Sequence, residues 1–393
     1  MRILFLSSIY PKSYAPTRGV YCRSLCNALA DTHPVHVISP TSWHERLGCR
    51  DVRAPAGASA GVTEEHPTYY YPPKVLRSRY DRFMWASVRG TVRRTLDSFS
   101  PDCILSYWSH PDGAVAGRAA RLAGVPCGII VGGSDVLLLT RDASRRHAVT
   151  ESLQKADAVF AVGRDLQSKI AALGVDPAKI HVHSRGIDRT RFYPADRGEA
   201  RRRLGLPEAR NLLLFVGSLV PVKGLEVLTE AVSLLVQRGT DFQLLLAGDG
   251  PLRGSLEAEV ARRGLVGHVQ FVGRVAHEDL PDWYRAADLT VLSSHSEGVP
   301  NVLRESLACG TPYVSTRVGG VAELTDDPAV RLVPPADSPA LASAIHAALE
   351  DRRLLDPARM RFKDWNQAAD EVAEVFTRLI RNRDGTALEA VPS

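Results

Sequence analysis

Short apolar runs of four or five residues recur along the chain, and between them apolar positions fall three or four apart. In the first half the runs lie at 3–7, 35–39, 103–107, 128–131 and 158–162, with helical spacing over 20–29, 114–123 and 164–173. An unbroken apolar run bounded by turn residues predicts a strand buried on both faces. Strands alternating with helices predict βαβ units on a parallel sheet. A second series begins near Asn211, with strands predicted at 212–216, 243–247, 269–272, 289–293 and 313–315. Helices are predicted near 225–237, 252–263, 280–285 and 302–309, and a last helical pattern runs over 357–380. The polar, Gly-rich stretch 43–67 follows neither period and predicts a long loop or insertion. The pattern as a whole predicts an α/β chain of two Rossmann-like domains, over 1–190 and 191–360. A helix over 361–382 and a small polar tail over 383–393 follow.

Composition narrows the class. A chain of 393 residues exceeds one core, and 45% apolar with 24% charged residues is ordinary for a soluble globular protein. A net charge of +5 is mild and implies no nucleic-acid partner. Cys22, Cys26, Cys49, Cys103, Cys127 and Cys309 show neither CxxC pairs nor metal-ligand spacing. Cys103, Cys127 and Cys309 fall in apolar runs, which predicts buried reduced thiols and a cytoplasmic setting. The opening run is too short for a signal-peptide core, and no later run approaches the ~18 apolar residues of a membrane span. Only seven of the 49 basic residues are lysine, the arginine bias of a high-GC bacterial genome.

The chemistry concentrates at 296–306, SEGVPNVLRES, which sets Glu297 and Glu305 eight positions apart around a Gly-Val-Pro-Asn turn. A buried strand is predicted before it, and after it a helix that stops at Gly310. The turn is thereby placed at the carboxyl edge of a sheet, where open α/β sheets bind ligands. Pro300 suits the first helical turn, since it gives up an N–H that has no helical partner. The free N–H groups of Gly298, Val299 and Asn301, with the helix dipole, form a seat for phosphate. A carboxylate at each end supplies acceptors for hydroxyls, and phosphate flanked by hydroxyl-rich groups describes a nucleotide sugar. Two solvated glutamates on a helix and its loop are the plainer reading.

This arrangement resembles the Glu-x7-Glu motif of retaining GT-B glycosyltransferases, in particular family four, the glycosyl transferases group 1. The resemblance implies that Glu305 holds the ribose hydroxyls of the donor and that Glu297 contacts the donor sugar. It places the backbone of Gly298, Val299, Pro300 and Asn301 against sugar and diphosphate. It also implies the GT-B fold, two Rossmann-like domains facing across a cleft, with the terminal helix crossing back onto the N-terminal domain. Residues 215–224, FVGSLVPVKG, resemble the family's G-R-L-x-x-x-K-G element. Gly217, Ser218 and Lys223 thereby join the donor-binding set. Ser218 replaces the family's arginine, so the diphosphate charge falls more heavily on Lys223. Residues 184–194, SRGIDRTRFYP, are similar to the family's linker, and VSTRVGGVAE at 314–323 to its Gly-Gly turn by the nucleotide. AGDGPLR at 247–253 matches another family turn; its glycines also resemble a dinucleotide fingerprint, but the expected acidic residue is missing.

In the first half, PTRGV at 16–20 stands where many relatives have Gly-Gly. Gly19 remains for close backbone approach to the diphosphate, and Arg18 is either a phosphate contact or a solvated loop arginine. The turns YWSHPDG at 107–113 and VGGSD at 131–135 end two strands. Relatives often carry His-Gly-x-Asp at the second, where this chain has Gly132 in the histidine's place. Asp135 and His110 are therefore catalytic candidates beside Lys223 and Glu297, with a locally bonded loop histidine as the alternative for His110. Over 69–94, Tyr69, Tyr70, Tyr71, Tyr80, Phe83 and Trp85 interleave with seven basic residues against one acid, Asp81. This is either an acceptor or peripheral-membrane patch, or a helix with its aromatic side buried and its arginines in water.

The implied activity is a metal-independent, retaining hexosyl transfer from a nucleotide-diphosphate sugar to an acceptor hydroxyl. That hydroxyl would belong to a polysaccharide, glycolipid or secondary-metabolite precursor. The nucleotide sugar is a co-substrate, and no other cofactor is expected. The setting is the cytoplasm or the inner face of the membrane. Two alternatives differ in class: a nucleotide-sugar epimerase on a related fold, and a non-catalytic sugar-nucleotide-binding subunit, for which Ser218 and Gly132 speak.

Overall fold

The computed structural model describes residues 1–16, 18–48, 61–360 and 362–383. Thr17, Cys49, the middle of the stretch predicted as a loop, and the tail beyond Arg383 lie outside the described residues. The chain divides into two units, Met1–Gly186 with Lys363–Ser393, and Ile187–Phe362.

The first unit is built on seven strands: β1 Ile3–Leu6, β2 Val35–Ile38, β3 Val62–Glu65, β4 Cys103–Tyr107, β5 Cys127–Val131, β6 Ala158–Ala161 and β7 Ile180–Val182. They pair in parallel in the order β3-β2-β1-β4-β5-β6-β7. Every residue of β1, β4, β5 and β6 is buried, which explains why their sequences are unbroken apolar runs. β3 corrects the loop predicted over 43–67. Its sequence, VTEE, belongs to an edge strand with one buried residue, so it carries no apolar run. A short helix, Trp43–Leu47, also lies there, opened by a capping box between Ser42 and Glu45.

The second unit holds β8 Asn211–Val216, β9 Phe242–Ala247, β10 Val269–Gly273, β11 Leu289–Leu292, β12 Tyr313–Thr316 and β13 Arg331–Val333. These pair in parallel in the order β10-β9-β8-β11-β12-β13. Strand order reverses between the neighbours β8 and β11, the point at which open α/β sheets bind ligands. The apolar pattern misses β7 and β13, three-residue strands, and the helix Ser338–Asp351.

The terminal helix, Trp365–Arg383, starts later than its apolar pattern predicts. Asp364 caps it: its carboxylate accepts from the Gln367 amide at 2.8 Å while the Gln367 side chain accepts from the Asp364 amide at 3.1 Å. Pro357–Arg359 forms a separate turn. The helix buries Ala368, Ala369, Val372, Val375 and Phe376 in the core of the first unit, with Leu25, Leu29 and Phe160. Gly128 makes room for the Phe376 ring, since a Cβ there would lie 2.7 Å from Cζ. The chain leaves and re-enters this unit side by side: a Cβ on Gly186 would lie 2.4 Å from the Trp365 Cα. Phe376→Ala should therefore destabilise the first unit by about 3–5 kcal/mol through the cavity it leaves, measured by chemical denaturation. A loss below about 1 kcal/mol would mean that another contact anchors the helix.

Candidate active site

In the second unit three loops converge beyond the carboxyl ends of β8, β11 and β12. Gly224 (φ +59°) and Gly319 (φ +53°) are left-handed, and added Cβ atoms would lie 2.2 Å from the Ser293 carbonyl oxygen and 2.1 Å from the Glu297 carbonyl oxygen. Only glycine permits both the conformation and the approach. The loops are joined by hydrogen bonds from the His295 amide to the Val222 carbonyl (2.8 Å), from the Gly320 amide to the Gly298 carbonyl (2.7 Å) and from the Ser293 hydroxyl to the Lys223 carbonyl (2.9 Å).

This backbone frame brings Lys223 and Glu297 together. The Lys223 ammonium donates to Glu297 Oε1 at 2.6 Å, and the Ser294 hydroxyl donates to the same oxygen at 2.6 Å. Glu305, on the helix Asn301–Ala308, accepts from His277 Nε2 at 3.0 Å and from the Tyr284 hydroxyl at 2.9 Å, one on each oxygen. Tyr284 is fully buried; burial, then the neighbouring carboxylate, pushes its hydroxyl well above the ordinary range, so it is a fixed donor. A carboxylate offers about four lone-pair directions, so two remain for further donors. Pro300 stands one place earlier than predicted, as the extended N-cap before Asn301 rather than inside the first turn. Proline's fixed φ suits either position, which is why sequence could not separate them. Gly217 and exposed Ser218 follow β8. The Gly-rich turn after β9 is packing chemistry: Cβ atoms on Gly248 and Gly250 would lie 1.8 Å from the Gly217 carbonyl oxygen and 2.5 Å from that of Leu219.

The first unit arranges its candidates differently. Asp135 is fully buried and accepts from the amides of Ser109 (3.1 Å), Gly132 (3.1 Å) and Gly133 (2.9 Å). It braces two turns, and burial, outweighing those donors, raises its carboxyl to about 6. His110 is buried too, with Nε2 3.3 Å from Asp81 Oδ1, and Asp81 also pairs with Arg118. Against the upward push of burial, His110 and Arg118 hold the Asp81 carboxyl below its ordinary value. This matches the local-hydrogen-bond reading of His110. At Gly132 an added Cβ would lie 2.0 Å from the Tyr107 hydroxyl and 3.5 Å from Arg185 Nη2. Arg185 donates to that hydroxyl at 2.6 Å and covers the Tyr21 ring at 4.4 Å, so Tyr107 and Arg185 fill the space beside Gly132. The requirement for glycine at 19 is internal, since a Cβ there would lie 1.6 Å from the Ile9 carbonyl oxygen. Arg18 pairs with Glu45 at 2.8 Å.

Several residues escaped the sequence reading. His277 and Tyr284 lie 28 and 21 positions from Glu305, and only the fold brings them to it. Asp112, inside the YWSHPDG turn, receives the amide and hydroxyl of Ser8, and burial raises its carboxyl. Lys12 donates to the carbonyls of Ser8 (3.0 Å) and Pro40 (3.1 Å), and burial lowers its ammonium to about 8. All five described cysteines are buried and free of disulfides.

Comparison with known proteins gives the family. The model of the glycosyl transferases group 1 family matches residues 196–368, and that of a glycosyl transferase 4-like domain matches residues 18–186. The chain is 30% identical over 359 residues to TuaC of Bacillus subtilis, named for a teichuronic acid biosynthesis glycosyltransferase, covering 88% of each chain. It is 36% identical over 225 residues to D-inositol 3-phosphate glycosyltransferase 2 of Catenulispora acidiphila, where it spans 53% of that protein and 53% of itself. Among solved structures, HepE of Anabaena in complex with UDP matches with a TM-score of 0.69 at 22% identity over 98% of both chains. The chain belongs to the glycosyl transferases group 1 family and is a glycosyltransferase with the two Rossmann-like sheets of the GT-B fold.

The Asp135 site makes a prediction with a sign. With its carboxyl at about 6 when folded against an ordinary 3.8, the folded chain keeps a proton between those values that the unfolded chain has lost. This group's contribution to stability should fall as pH rises through that window and be level above it. Asp135→Asn should flatten the slope, whereas Asp135→Ala orphans three amides, two of them buried, and should cost about 3 kcal/mol or more. Denaturation midpoints against pH check both. A slope unchanged in Asp135→Asn would assign it to another group.

Proposed function

We propose that the chain transfers a sugar from a nucleotide-diphosphate sugar to an acceptor hydroxyl with retention of anomeric configuration. The donor would be held on the second unit. The observation that carries this reading is the pair of pre-set carboxylates flanking the N-terminus of the helix Asn301–Ala308, with the Lys223 ammonium on the first of them. Glu305 would accept the two ribose hydroxyls on its remaining lone pairs, its orientation fixed by His277 and Tyr284. Glu297 would meet the donor sugar. The amides of Gly298, Val299 and Asn301 and the helix dipole would face the diphosphate. A relative in fold, HepE, has been solved with UDP and with UDP-glucose, which supports the donor class.

Lys223 has a second part. Its ammonium, which pairs with Glu297, would turn to the diphosphate and stabilise the charge that grows as the glycosyl C–O bond breaks. The acceptor oxygen would attack on the face the diphosphate leaves, and the departing phosphate would take the acceptor's proton. The transition state is oxocarbenium-like, so this charge on the leaving group is what needs stabilising. Ser218 adds a neutral hydrogen bond at most. With Lys223 and the N-termini of the helices Leu225–Gln237 and Asn301–Ala308 neutralising the diphosphate, the reaction should need no divalent cation.

Two outcomes follow. Glu305→Gln should weaken donor binding by roughly 1.5–3 kcal/mol, the value of charge-assisted hydrogen bonds. Calorimetric titration with UDP-, GDP- and ADP-sugars reads this directly, and an unchanged affinity would take Glu305 out of the nucleotide site. Turnover should persist in excess chelator. Full loss that magnesium or manganese restores would mean that a cation, not Lys223, carries the diphosphate charge.

A further inference from the structure

The first unit holds a cavity of about 510 Å³ beyond the carboxyl ends of β2 and β3, lined by the aromatic Trp43, Tyr71 and Tyr80 and the cationic Lys74, Arg77 and Arg145. The aromatic wall is locked in place. Trp43 Nε1 donates to the Tyr71 carbonyl at 3.0 Å, the Tyr71 hydroxyl lies 3.3 Å from His44 Nδ1, and the Tyr80 hydroxyl donates to the Pro72 carbonyl at 3.0 Å. The Tyr71 and Tyr80 rings are 4.5 Å apart, and Tyr69 stacks behind Tyr71 at 5.4 Å. The sequence patch over 69–94 thus separates into two parts. The helix Tyr80–Phe99 buries Met84, Val88 and Val92 while Arg82, Arg89, Arg93 and Arg94 face water, and Tyr71 and Tyr80 line the cavity.

The cationic side is unbalanced. Arg145 Nε is buried and has no hydrogen-bond partner. Burial lowers the Arg145 guanidinium from its ordinary value, and the like charge of Arg77 lowers it further. The acid facing it, Asp142, is committed to the Ser144 hydroxyl (2.7 Å) and the Arg145 amide (2.9 Å), where it caps the helix Ala143–Gln154. Among the described residues no carboxylate forms an ion pair with Lys74, Arg77 or Arg145. Lys74 and Leu76 hold left-handed backbones (φ 68° and 51°), a conformation that non-glycine residues rarely adopt and that clusters at functional segments. Val75 and Leu76, between Lys74 and Arg77 in the chain, are 56% and 52% exposed.

Three cations, a buried unpaired donor and an aromatic wall describe a site for an anion attached to a body with an apolar face. We propose that this pocket seats a phosphate group carried by the acceptor, with the acceptor's sugar or lipid body against Trp43, Tyr71 and Tyr80. The proposal rests on the glycosyltransferase reading and names the acceptor's class within it. A phosphate ester fits better than a carboxylate, since it brings nearly twice the charge and three acceptor oxygens to three donors. A sugar phosphate and a polyprenyl phosphate share this chemistry, and the exposed Val75 and Leu76 suit the second.

The test uses the full chain carrying Lys223→Met, which removes the donor site's ammonium, with UDP in saturating excess to occupy the rest of that site. Glucose 6-phosphate and glucose are titrated by calorimetry, and vesicles of phosphatidylcholine with and without undecaprenyl phosphate are used in flotation. Binding of glucose 6-phosphate but not glucose, or of the undecaprenyl phosphate vesicles only, is expected and identifies the source. That binding should weaken by ~10-fold or more in Arg77→Gln/Arg145→Gln and with rising salt. Lys74→Gln, a change at an exposed side chain, should weaken it less and guards against misfolding of the double variant. If neither probe binds, or if binding survives both variants, the proposal is overturned. Titration of nucleotide sugars into Arg77→Gln/Arg145→Gln with native Lys223 separates the two ideas. Donor binding retained there leaves the donor reading intact whatever the fate of the pocket.

Discussion

Backbone contact between three loops is the constraint on which the second unit's chemistry depends. Gly224 lies against the Ser293 carbonyl and Gly319 against the Glu297 carbonyl, at distances no side chain tolerates. Because β8 and β11 are neighbours at the reversal of strand order, their loops start side by side, and the two glycines let them close on each other. Lys223 and Glu297 meet as a consequence, and the helix that follows carries Glu305 to His277 and Tyr284. Ser294, His277 and Tyr284 hold the two carboxylates by hydrogen bonds, which fixes their orientation.

The first unit repeats the strand order but spends its polar groups otherwise. At its own reversal point, between β1 and β4, Asp112 receives the amide and hydroxyl of Ser8, and Lys12 closes onto two carbonyls. Asp135 and His110 are likewise engaged inside the protein. These groups fix loops. The unbalanced charge in this unit lies instead at Arg77 and Arg145, beside rings locked by their own hydrogen bonds.

Most of the fold was legible because buried parallel strands must be apolar throughout: β1, β4, β8 and β11 announce themselves by composition alone. What escaped lacks that signature. β3 is an edge strand with two glutamates, and β7 and β13 are three residues long. At the site, Glu297, Glu305 and Lys223 could be singled out because each is local to a recognisable turn. His277, Tyr284 and Arg185 could not, since their partners are distant in sequence and meet them only through the packing of whole elements. Asp135 shows the opposite limit: an aspartate in a glycine turn reads the same from sequence whether it faces a substrate or its own backbone. The structure shows the backbone contact, through three amide donors to a buried carboxylate.

A crystal structure with a nucleoside diphosphate soaked in is the sharpest test of the proposed donor seat at the second unit's paired carboxylates and Lys223. Density for the diphosphate is expected against the amides of Gly298, Val299 and Asn301 with Lys223 turned toward it, and for the ribose hydroxyls on Glu305. A nucleotide bound elsewhere on the chain, with the Lys223–Glu297 pair undisturbed, would contradict it.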